Sequence, residues 1–71
     1  MTMPAGISDF FDDEELQLLR LVAEGLQSET IARRMCLSER TVRRRLRSLC
    51  DRLGMDAPVQ VVVWAVRHGA L

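Results

Sequence analysis

Apolar residues recur along this chain at the three- and four-residue spacing of helices packed on one side, and four stretches carry the pattern. In the first, Leu16, Leu18, Leu19, Val22, Ala23 and Leu26 make an inward stripe. The stretch opens on Phe11-Asp12-Asp13-Glu14-Glu15, where Asp12 reads as N-cap, Glu15 reaches back as in a capping box and Phe11 packs on Leu16 as a hydrophobic staple. Its acids suit the positive end of the helix dipole, and Gly25 marks the stop. The second stretch, Ser28 to Met35, is short, with Ser28 as N-cap and Ile31, Ala32 and Met35 inward. In the third, Ser38 caps the start and Val42, Leu46, Leu49, Cys50 and Leu53 fall at i, i+4, i+7, i+8 and i+11. Gly54 follows as the residue just past its end. The second and third helices are joined at once through Met35-Cys36-Leu37-Ser38, a helix-turn-helix arrangement. Cys36 stands where such turns often use glycine to reach a left-handed conformation, and a non-glycine residue there costs about 1 kcal/mol.

The last stretch is ambiguous by propensity, because its five valines favour a strand. Periodicity favours a helix that starts at Asp56 or Ala57, has Pro58 in its first turn and stops at Gly69. Val59, Val62, Val63, Val66 and Ala70 form one apolar strip, and Ala57, Val61, Trp64, Ala65 and His68 form another nearly opposite. A helix apolar on two sides needs two partners. We expect the first strip to face the core and the second, Ala57, Val61, Trp64, Ala65 and His68, to meet a copy of itself in a twofold homodimer. The competing expectation is that Trp64 is core and the N-terminal lead covers that strip. His68 otherwise reads as a capping or surface residue near the helix end.

The expected organisation is a disordered or partly ordered lead over residues 1–10 and one folded all-α domain over 11–71. At 71 residues, folding buries only about 60% of the unfolded chain's surface, so stability is modest. The N-terminus has neither the basic region nor the apolar core of a signal peptide, and no apolar run is long enough to span a membrane, so a cytoplasmic protein is expected. The Met1 start favours a complete small regulator over the end of a longer chain.

Charge changes the picture more than composition does. The formal net charge is zero, yet residues 1–31 hold Arg20 against seven acids, a net of −6, while residues 32–54 hold eight arginines against Glu39 and Asp51, a net of +6. Phosphate responds to the local patch rather than to the total. All ten basic residues are arginine, the side chain suited to bidentate contacts with guanine and phosphate. Arg40, Arg43, Arg44 and Arg47 fall opposite the apolar face of the third helix, which makes it a candidate recognition helix for the DNA major groove. Arg33, Arg34 and Arg45 join Arg40 in adding electrostatic hold, and Asp51, at i+4 from Arg47, is expected to pair with it in the free protein. Two cysteines without C-x-x-C or Cys/His spacing read as small apolar side chains, so neither a metal nor any other cofactor is expected. No nucleophile, triad or phosphate loop supports an enzyme.

Residues 11–71 resemble the LuxR-type, or NarL/FixJ-type, DNA-binding domain. The matching pieces are Glu15 with Leu18-Leu19, A-E-G-L at 23–26, I-A-R-R at 31–34, L-S-E-R-T-V at 37–42, L-G at 53–54 and W-A-V-R-H-G at 64–69. The resemblance implies a four-helix fold whose third helix enters the major groove and whose fourth commonly forms the dimer contact, in bacterial transcription. It puts Arg43, Arg44 and Arg47 at groove-facing positions and Thr41 near the phosphate backbone. Three positions where the family often carries a phosphate-holding cation differ: Glu14, Pro58 and the Ser28-Glu29-Thr30 start of the second helix. In partial return, Arg44 and Arg45 stand where a small or polar residue and a histidine are more usual.

These features favour a sequence-specific transcriptional regulator that binds double-stranded DNA as a homodimer. The alternative from another class is a protein-interaction module that keeps the fold and binds another regulator or RNA polymerase. A sigma-factor-like domain shares the helix-turn-helix but leaves the W-A-V-R-H-G ending unexplained.

Overall fold

A computed structural model describes residues 10–71, so all of the expected lead except Phe10 lies outside the described residues. The described residues form four helices and no strand: α1 Asp13–Ala23, α2 Ser28–Met35, α3 Glu39–Leu53 and α4 Pro58–Arg67. The valine-rich last stretch is therefore helical, and tertiary packing overrides β propensity. α1 lies mainly on α4, α2 on α3, and α3 on α4.

The helix starts follow their caps closely. The Asp12 carboxylate accepts from the Glu15 N–H at 2.8 Å, and the Glu15 carboxylate accepts from the Asp12 N–H at 3.0 Å. Ser38 Oγ accepts from the Thr41 N–H at 3.0 Å and donates its own proton to Thr41 Oγ1 at 2.8 Å. α4 has no side-chain acceptor at Ala57, and Gln60 Oε1 instead accepts from the backbone N–H groups of Asp56 and Ala57, at 2.7 and 3.0 Å. The expected cap at Ser28 is not formed. Ser28 is the first residue of α2, Gln27 precedes it in extended conformation, and no side chain caps that start.

The helix ends share one construction, a left-handed residue followed by an N–H that reaches back five residues. Leu37 donates to the Ala32 carbonyl at 2.9 Å, Met55 to Cys50 at 2.8 Å and Ala70 to Ala65 at 2.8 Å. Glycine supplies the left-handed residue everywhere except at the helix-turn-helix, where Cys36 takes φ 57° and ψ 41°. The chain thus turns at Cys36 as the sequence implies, with a side chain in a conformation that disfavours one.

Phe11, Leu18, Leu19, Ile31, Val42, Leu49, Val61 and Ala65 are almost wholly enclosed, and among the described residues no polar or charged residue is buried. Phe11 is deep in this core and Leu16 packs at its edge. Two expectations of facing fail. In α1, Leu21 is buried while Ala23 is exposed, so the inward stripe is rotated slightly toward Leu21. In α4 the faces are largely reversed: Val61 and Ala65 of the second strip are buried, and of the first strip Val62 is buried as expected while Val59, Val63 and Val66 are 60%, 46% and 54% exposed. Val61 and Ala65, expected at a dimer contact, are in the protein's own core and have no surface to offer a second copy. The aromatic residues explain the reversal. Trp64 meets Phe10 at 5.6 Å and Phe11 at 6.0 Å between ring centroids, and Phe10 meets Phe11 edge-on at 5.1 Å. This cluster closes the end of the core and turns the Trp64 side of α4 inward. Of the competing expectation, that Trp64 is core and the lead covers its strip, the described residues include only the Phe10 contact, and Trp64 is half-buried at the edge of the core.

Candidate nucleic-acid interface

α3 has one apolar face and one basic face because its sequence keeps Val42, Leu46 and Leu49 on one side of the 3.6-residue period. Those three are buried, and Arg40, Arg43, Arg44 and Arg47 are exposed on the other side. Ser38 and Thr41 fix the start of α3, so Thr41 is tied into the cap through both its N–H and its hydroxyl.

The arginines divide by their partners. Among the described residues, no ion pair reaches Arg33, Arg40, Arg44 or Arg47, and the expected Arg47–Asp51 pair is not formed. Arg43 is paired with Glu39 one turn earlier on the same helix. Arg34 approaches Glu24 at 3.9 Å with both side chains more than half exposed, an arrangement of little energetic weight. Arg45 is turned away from the basic face and paired with Glu14 at the start of α1. The sequence reading counted Arg45 as a cation available to DNA, and its guanidinium instead bridges α3 to α1.

Arg52 makes a second bridge, which the sequence did not reveal. It donates to Glu15 at 2.6 and 3.3 Å and to the Phe10 carbonyl at 3.0 Å, and its guanidinium carbon sits 5.5 Å from the centre of the Phe10 ring. The Glu15 hydrogen bond, partly opposed by burial, pushes the Arg52 pKa above its ordinary value. Together the Glu14–Arg45 and Glu15–Arg52 pairs clamp the N-terminal turn of α1 along α3, so the acidic first segment offsets flanking arginines and leaves the outer face of α3 open.

Beside that face runs an open groove. One hollow of about 470 Å³ is walled by Val22, Leu26, Ile31, Glu39, Arg43 and Pro58, and an adjoining hollow of about 330 Å³ shares Arg43 and Pro58. Of the residues expected at a dimer contact, Ala57 and Trp64 are half-buried and His68 is exposed. The His68 ring stacks on Trp64 at 4.2 Å, and its Nδ1 lies 2.8 Å from the Trp64 carbonyl.

A short helix handing over at a left-handed turn to a longer helix with an arginine face defines a helix-turn-helix domain. The chain belongs to the family described as bacterial regulatory proteins, luxR family, whose model matches residues 12–65. It is similar to the transcriptional regulatory protein YdfI of Bacillus subtilis, with 37% identity over 59 residues, 83% of this chain and 28% of that protein. It is also similar to the DNA-binding transcriptional activator DevR/DosR of Mycobacterium tuberculosis, with 43% identity over 53 residues, 75% of this chain and 24% of that protein. A third relative is the putative HTH-type transcriptional regulator Rv0890c of Mycobacterium tuberculosis, 41% identical over 56 residues, 79% of this chain and 6% of that protein. The chain thus spans about a quarter or less of the length of these relatives. No solved structure matches it. Among the described residues, no helix is long and apolar enough to cross a membrane.

Proposed function

We propose that this chain is the DNA-reading part of a transcriptional regulator, binding duplex DNA through the exposed face of α3. The observation that carries the reading is that Arg40, Arg44 and Arg47 share one face of α3, opposite its buried side, with no acidic partner among the described residues. In this reading Arg43, Arg44 and Arg47 meet base edges or phosphates in the major groove, Arg40 and Arg33 add phosphate contacts, and Thr41 sits near the backbone. Arg34 contributes more weakly, because Glu24 stands beside it. Arg45 holds α1 against α3. The relatives' descriptions as transcriptional regulators, one of them DNA-binding, support the same class. Two copies bind one site, and the exposed strip Val59, Val63 and Val66 is the surface on which they meet. Bacterial DNA lies in the cytoplasm, which is therefore the expected site of action.

Selection of bound duplexes from a random pool, followed by titration of the selected site at several salt concentrations, tests this. A symmetric site is expected, with log K falling against log salt by about 0.9 per phosphate neutralised. Absence of binding to any duplex at low salt would refute the reading and favour the use of the valine strip for another regulator or RNA polymerase.

A further inference from the structure

Glu39 is the first residue of α3 and lines the hollow beside it with Arg43, and among the described residues it is the one acid paired with an arginine of the basic face. Both partners are open to solvent, with 67% of the Arg43 side chain and 42% of the Glu39 side chain exposed. Resting on the DNA-binding reading above, we propose that Glu39 is a specificity-determining residue. Its carboxylate neutralises Arg43 toward phosphate and itself requires an amino group on a base edge opposite the start of α3.

The argument follows from what DNA offers each group. Phosphate oxygens only accept hydrogen bonds, so a carboxylate near them is repelled, and an arginine bound to that carboxylate adds no net charge to the attraction. Base edges in the major groove present donors as well: the N4 amino group of cytosine and the N6 amino group of adenine donate to a carboxylate, while guanine N7 and O6 accept from an arginine. A carboxylate and a guanidinium held together therefore lose little at a site that presents an amino group beside a guanine. Against random sequence they lose the contact that a free arginine would make. The N-terminal residues of a recognition helix are those that reach base edges, and Glu39 occupies that end. No other acid of α3 is paired with a cation of the basic face among the described residues, since Asp51 stands apart from Arg47.

The test compares wild type with Glu39→Ala, which removes the acceptor altogether, in random-pool selection and in titration of random and wild-type-selected duplexes across salt. Glu39 is at the surface, and a thermal melt checks that the variant is folded. On random duplex, freeing Arg43 should steepen the log K against log salt slope by about 0.9 and raise affinity about fivefold near 0.15 M salt. On the wild-type site affinity should rise less or fall, and the selected sequences should lose a cytosine or adenine preference at one position in each half-site while keeping the guanine. Arg43→Ala should lose that guanine preference. Identical selected sequences for wild type and Glu39→Ala, or an equal gain on both duplexes, would overturn the proposal while leaving DNA binding intact. Failure of the wild type to bind any duplex would overturn both.

Discussion

Cys36→Gly should stabilise the domain, and the amount follows from the turn itself. Cys36 sits at φ 57° with its side chain exposed, so the substitution removes no core contact. A side chain in the left-handed region costs about 1–2 kcal/mol. Glycine loses more freedom on folding, which returns about 0.4–1 kcal/mol of that relief. The net gain is then about 0.5–1 kcal/mol. For 71 residues, with about 2.1 cal/mol/K of unfolding entropy per residue, this corresponds to a rise in Tm of about 3–7 °C. Gly54→Ala is the control of opposite sign. Gly54 has φ 67°, and a Cβ built there meets nothing within 4 Å, so the substitution adds backbone strain without a steric clash. It should cost about what Cys36→Gly yields. Thermal unfolding of the three proteins under reducing conditions measures both. If Cys36→Gly leaves Tm unchanged or lowers it while Gly54→Ala lowers it, the left-handed penalty at Cys36 is being offset by a contact of its side chain, and the reasoning fails.

Burial, reinforced by Asp51, pushes the Cys50 thiol pKa up from its ordinary 9.0, against an opposing pull from Arg47. The folded state thus favours the neutral thiol, and its contribution to stability is complete below pH 9.0 and lost as pH rises through the folded pKa. Urea midpoints should therefore fall as pH rises above 9.0, and Cys50→Ala should lessen that fall, at a cost of about 1 kcal/mol at neutral pH for the cavity it leaves. Phe10→Ala should uncover Trp64, the protein's one tryptophan, and shift its emission to the red with a loss of about 1 kcal/mol; an unshifted spectrum would show that Phe10 does not cover the ring. Val63→Glu should leave Tm nearly unchanged, because the side chain is half exposed, but should convert two-copy complexes on a symmetric duplex to single-copy ones; unchanged stoichiometry would remove the valine strip from the interface.

Most features set by local chemistry were readable in the sequence, the Ser28 cap and the Arg47–Asp51 pair excepted, and those set by distant contacts were not. The Asp12–Glu15 box, the Ser38 cap and the left-handed turn at Cys36 each involve residues within five positions, and all are present. The two faces of α3 were readable because arginine and leucine differ so strongly that only one rotation of the helix buries the right set. The ion pairs were hidden because Glu14 and Arg45, or Glu15 and Arg52, come together only once α1 lies along α3. α4 misled because apolar residues line two nearly opposite sides of it, so periodicity fixed a helix without fixing its rotation. What decides the rotation is the one bulky ring, Trp64, beside the small Ala65, against Phe10 and Phe11 from the other end of the chain.

That rotation bears on how two copies would bind. With Val61 and Ala65 committed to the core, the valines that α4 offers a second copy are Val59, Val63 and Val66, each about half exposed. Burying the open half of a valine stabilises by about 1 kcal/mol, so six valines in a symmetric contact give about 6 kcal/mol. The loss of translational and rotational freedom on association costs about 4–15 kcal/mol. The strip alone therefore supports at most a weak dimer in free solution. Adjacent half-sites on one duplex change the balance, because the first copy raises the effective concentration seen by the second. In the proposed two-copy complex, the arginines of α3 that are unpaired among the described residues and the valines of α4 would act as one device, in which DNA supplies the proximity that the small apolar strip cannot.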